Sequence, residues 1–197
     1  MLSCRHQPLA LPAPLVRALE AAYGEPHRAY HTAAHVAEVL AEYDRVADEL
    51  GWHQPAEVYV AIAFHDAIYV PGARDNEARS AAWARSAGLP VSGERVAQLI
   101  ELTARHGALA PGDVDRDAAL LLDCDMAILG AAPAAFDAYD AAIAREYAAV
   151  PPEAYRAGRK AFLAGLLARP RIFLSDAFHA RLDAAARGNL ARAVARL

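Results

Sequence analysis

The chain has 197 residues, 56% of them hydrophobic and 22% charged, with a formal net charge of -4. That length and apolar share suffice for one domain with a sizeable core. The mild acidity excludes a broad phosphate-tracking basic surface, so nucleic acid is not an expected partner. Cys4 and Cys124 stand far apart without a CxxC pair, which excludes a disulfide scaffold or a Cys-rich zinc knuckle and points to a reducing compartment. Residues 1–11 hold Arg5 and His6 but no apolar run of signal-peptide length, and the most apolar later stretch, 118–130, is interrupted by Asp123 and Asp125. A soluble, cytoplasmic protein without membrane contact is expected.

Abundant alanine, apolar residues at three- and four-residue spacing and no period-two runs of Val, Ile and Thr predict an all-α single domain of roughly eight helices. The first is expected over 13–23, stopping at Gly24-Glu25-Pro26, and the second over 30–50, ending at Gly51. A third starts at Pro55, a good first-turn residue, and yields to a loop over 69–75 whose Pro71-Gly72 pair marks a turn. A fourth spans 76–87, and Ser92 opens a fifth running to His106. After a break at 107–112 the sixth covers about 115–129, and Gly130 and Pro133 separate it from a seventh ending near Tyr147. Pro151-Pro152 start the eighth, to about 168, and Asp176 is the expected cap of the last helix. The chain carries no internal repeat and no low-complexity linker.

Several ligand-type side chains fall on the expected core faces. His35 lies one turn before Val39 at the margin of the second helix's apolar stripe, and His31, one turn earlier, converges with it on a helix. Each also reads as an ordinary surface or cap histidine. On the third helix the stripe Val58, Ala61, Ile62 ends in His65, and Asp66 follows Tyr59, Ile62 and Ala63 into an apolar neighbourhood. Burying an ionised Asp unpaired costs several kcal/mol, roughly, and a metal cation removes that cost by turning Asp66 into a ligand beside His65. The fifth stripe, Val96, Leu99, Ile100 and Thr103, again ends in an imidazole, His106. On the sixth helix Asp125 sits amid Leu121, Leu122, Ile128 and Leu129, whereas Asp123 lies about 200° around, so only Asp125 is expected to point inward.

The order His35, His65-Asp66, Asp125 resembles the H…HD…D pattern of the HD phosphohydrolase superfamily. Five runs carry a narrower resemblance, to a bacterial subgroup described as predicted metal-dependent HD phosphohydrolases: Tyr30-His31-Thr32-Ala33-Ala34-His35, Phe64-His65-Asp66-Ala67-Ile68-Tyr69, Asp75-Asn76-Glu77 with Ser80-Ala81, Thr103-Ala104-Arg105-His106, and 122–130. The match covers 28–147. It implies one HD-type helical domain over 1–197 with one metal held by His35, His65, Asp66 and Asp125, and leaves the substrate unnamed. Two imidazoles and two carboxylates suit Mn, Fe, Co, Ni or Zn better than Mg, with room for water on a six-coordinate ion.

Hydrolysis of a phosphoester in a small phosphorylated metabolite or nucleotide is the expected chemistry. Asp66 is expected to orient or deprotonate the attacking water, and His106 and His31 to steady the leaving group or bind phosphate. Glu77 is a candidate general acid or partner to a ligating His, though Asn76-Glu77 at a helix start is also good capping chemistry. Arg28, Arg79 and Arg105 are candidate phosphate clamps and equally solvated helix charges. Two other readings stand beside this one. A di-iron HD oxygenase needs further histidines, and only His106 lies between Asp66 and Asp125. A non-catalytic sensor or scaffold would bind a nucleotide in the same pocket. The stripe Phe162, Leu163, Leu166, Leu167 is expected to close the core or a homodimer interface.

Overall fold

The computed structural model describes residues 3–197. Among them the chain is all-helical, with nine α-helices and no strand. No single helix in this range is long and apolar enough to cross a membrane. The residues group into two compact units, one ending at Arg105 and the other spanning His106–Leu197.

The first unit contains α1 (Ala13–Tyr23), α2 (Ala33–Glu49), α3 (Pro55–Phe64), α4 (Asn76–Ser86) and α5 (Gly93–Thr103). Helix α3 is its axis, packed against α2, α4 and α5. Every residue from Val58 to Phe64 is fully buried, so the one-sided stripe expected for this helix is replaced by burial all round. A short, uniformly apolar helix is stable only when its neighbours cover every face. The chain enters α2 later than expected. Thr32 is extended (φ -112°, ψ 177°) and its side chain accepts from the Ala34 amide, so it caps the helix and leaves His31 outside it. Helix α5 likewise stops at Thr103, whose hydroxyl donates to the Ile100 carbonyl at 2.7 Å. His106 therefore does not extend the α5 stripe.

The second unit contains α6 (Arg116–Met126), a 3-10 turn (Ala127–Gly130), α7 (Pro133–Glu146), α8 (Pro152–Leu167) and α9 (Asp176–Arg196). Helix α9 packs along the 3-10 turn, α8 and α7. Asp115 caps α6 by accepting from the Ala118 amide. The cap of α9 is Ser175, which accepts from the Phe178 amide, and Asp176 is the first helical residue, a correction of one position. The expected inward face of α6 also needs correction: Asp123 is buried, more so than Asp125. The segment before α9 lies against that side of α6, and Asp123 accepts from the Leu174 and Ser175 amides at 2.7 Å each and from the Ser175 hydroxyl at 2.5 Å. Burial pushes its carboxyl up to about 6 even against these three donors. In α8, Leu163 and Leu166 are buried and Phe162 is exposed.

Candidate metal centre

Helix α3 ends at Phe64, with His65 as its C-cap. The last four carbonyls of a helix lack intrahelical partners, and here each finds one. Ala61 accepts from the His65 amide, Ile62 from His65 Nδ1 at 2.9 Å, Ala63 from the Tyr23 hydroxyl at 3.1 Å, and Phe64 from the Ala67 amide. The Ile62 contact has a chemical consequence. A carbonyl only accepts, so Nδ1 carries a proton, and the ring in its neutral form presents a lone pair at Nε2.

That Nε2 faces His35 Nε2 at 3.1 Å and Asp66 Oδ2 at 3.0 Å, while His35 Nε2 and Asp66 Oδ2 lie 3.6 Å apart. His35 reaches this point from the first turn of α2, which packs on α3. Both histidines are almost wholly buried and Asp66 is 15% exposed. Burial works against a charge on Asp66, yet His65 first, then His31 and His35, hold its carboxyl well below the usual carboxylate range. The three atoms lie close enough together that they could hold one metal ion. Donors at metal distances of about 2.1 Å sit about 3.0 Å apart in an octahedron and about 3.4 Å apart in a tetrahedron. The observed triangle fits such a set, and two imidazole nitrogens with one carboxylate suit a divalent transition ion.

The other expected residues are placed as follows. His31 is half-buried, its ring stacked on Tyr69 with centroids 4.1 Å apart and 6.0 Å from the His35 ring. The Arg28 side chain is fully buried and donates to the backbone carbonyls of His31, Asp66 and Ala67. Glu77 is half-buried in the first turn of α4, while Arg79 on the same helix and Arg105 at the end of the unit are exposed. In the second unit His106 Nε2 meets Asp125 Oδ2 at 2.5 Å. Asp125 also bears on Tyr139, whose hydroxyl is raised in pKa chiefly by burial, with Arg159 opposing.

Two polar residues of the Asp75-Asn76-Glu77…Ser80 run have a use that sequence reasoning missed. Asn76 accepts from the Val70 amide and donates to the Val70 carbonyl, both at 3.0 Å. Ser80 Oγ accepts from the Ile68 amide at 3.0 Å. Both buried side chains thus supply backbone partners to the loop that leaves Asp66. The spacing of Asn76 and Ser80, one helical turn apart, was the available signal for a shared inward face. Tyr69, which stacks on His31, had no such signal.

No protein-family model matches the chain, and no curated protein or solved structure matches it.

Proposed function

We propose that the chain is a metal-dependent phosphohydrolase of the HD type, acting on a small phosphorylated metabolite or nucleotide. The observation that carries the reading is the convergence of His35 Nε2, His65 Nε2 and Asp66 Oδ2 on one point, in residues whose sequence context resembles the HD motif. When bound, a divalent transition ion at such a centre supplies Lewis acidity that polarises a phosphoryl oxygen and lowers the pKa of water towards roughly 7.

The chain's own residues would do the rest. Asp66 turns Oδ2 to the imidazoles, and we assign its Oδ1 to accept the proton of the attacking water. His65, held by Ile62, keeps its lone pair aimed at the centre. His31, half-exposed beside Asp66 and steadied by Tyr69, is assigned to an anionic oxygen of the substrate. The motif order adds Asp125 as fourth ligand and His106 and Glu77 as proton-transfer groups, assignments that rest on sequence resemblance. A cytoplasmic setting belongs to the same reading, on the strength of two cysteines that form no disulfide.

The test is to purify wild type and Asp66→Ala, measure bound metal by elemental analysis, and screen both on a phosphoester panel with Mn, Co, Ni, Mg and Zn. Wild type should carry about one metal per chain and release phosphate, and the variant should do neither. Metal without turnover of any substrate would favour the nucleotide-binding sensor, and no metal would overturn the proposal. Asp125→Asn tests the fourth ligand separately: unchanged metal affinity would remove it from the set.

A further inference from the structure

We infer that Arg28 is a positioning residue that holds the two ligand-bearing segments of the metal centre together, and that it does not clamp substrate phosphate; the inference rests on the metal reading above. The Arg28 side chain is 0% exposed. Its Nη1 donates to the His31 carbonyl at 3.0 Å and to the Asp66 carbonyl at 2.7 Å, and its Nη2 donates to the Ala67 carbonyl at 3.1 Å. Nε donates to Glu25 at 3.0 Å. These bonds use four of the five N–H groups of a guanidinium, so the fork that would grip phosphate bidentately is already filled. The Tyr23 and Tyr69 rings also lie against the guanidinium, their centroids 5.3 Å and 5.5 Å from its central carbon.

The position of those carbonyls gives the residue its role. His31 leads through the Thr32 cap into the first turn of α2, where His35 sits. Asp66 and Ala67 lead out of α3 directly behind His65. A single nitrogen bonded to both His31 and Asp66 sets the distance between the entry to α2 and the exit from α3, and that distance decides whether His35 meets His65 and Asp66. Tyr69 couples the same guanidinium to the His31 ring. Lysine has one compact ammonium in place of a planar fork and cannot span three carbonyls from one buried point.

Arg28→Lys is the first test, with Co(II) as probe, its binding followed by visible absorption and chelator competition, and folding by circular dichroism. The expected result is a helical protein whose Co(II) dissociation constant rises about ten- to a hundred-fold, the usual effect of removing a group that orients ligands. Arg28→Ala with millimolar guanidinium added back should recover much of the affinity, because the hole accepts the free ion. Glu25→Gln, which leaves the three carbonyl bonds intact, should bind Co(II) as wild type does.

Wild-type Co(II) affinity in Arg28→Lys would overturn the inference. So would weaker inorganic phosphate binding by that variant with unchanged Co(II) affinity, or a loss of fold that guanidinium does not restore. A loss in Glu25→Gln as large as in Arg28→Lys would also overturn it, since charge balance and not carbonyl bonding would then be responsible. Failure of wild type to bind Co(II) would remove the metal reading itself, an outcome distinct from all of these.

Discussion

Ligand-type side chains held in apolar surroundings are the residue-level signal of the candidate centre. The sequence places Asp66 in an apolar neighbourhood and sets His65 beside it, and the structure brings His35 to the same point. What the sequence does not reveal is why His65 presents Nε2: the Ile62 carbonyl that fixes its tautomer lies on the same helix, but the bond depends on a rotamer set by packing. His65→Ala should abolish metal binding while leaving helical content intact, measured by Co(II) titration beside circular dichroism. A second prediction concerns Asp183. Burial opposes its charge, but the Ile172 amide at 2.7 Å, Arg187 at 2.6 Å and His179 at 3.2 Å hold its carboxyl below the ordinary value. A depressed folded pKa contributes stability above the unfolded value near 3.9, and that stability is lost as pH falls through the folded pKa. Asp183→Asn should therefore cost about 1–3 kcal/mol at neutral pH. Its denaturation midpoint should approach the wild-type midpoint only as pH falls through that depressed folded pKa, below the unfolded value of about 3.9.

Helix boundaries at the element scale were legible wherever local chemistry sets them. The bounds of α1, the Pro55 start of α3 and the Pro151-Pro152 start of α8 agree with expectation, because a proline at the first turn fixes φ and lacks only an N–H that would be unpaired anyway. Boundaries decided by competing side-chain bonds were not legible, as at Thr32, Thr103 and Ser175. Ser175 has two roles, accepting from the Phe178 amide and donating to Asp123. Ser175→Ala should thus cost more than an ordinary cap, about 2 kcal/mol against the usual ~1, read as a shift in the urea midpoint. Gly130 makes a steric prediction. A Cβ there would stand 2.6 Å from Leu182 Cβ and 3.0 Å from its carbonyl oxygen, so Gly130→Ala should destabilise by about 1–3 kcal/mol through overpacking of α9 on the 3-10 turn. A thermal melt at or above the wild-type midpoint would contradict that.

Taking the molecule as a whole, the proposed metal should act as a stabilising ligand. A chelator should lower the melting temperature and a saturating divalent transition ion should raise it, by about 2.7 kcal/mol of stability at a hundred times the dissociation constant. The same additions should leave Asp66→Ala unmoved, and scanning calorimetry reads both. The sequence by itself determined the all-helical class, most helix starts and the residue types of the candidate centre, because helical period, proline and caps act within a few residues of one another. Only the tertiary structure decided that α3 is buried on every face, that Asp123 turns inward beside Asp125, and that Arg28, Asn76 and Ser80 serve backbone atoms. Those outcomes depend on which carbonyl or amide a folded neighbour brings within about 3 Å, and no spacing along the chain encodes that distance.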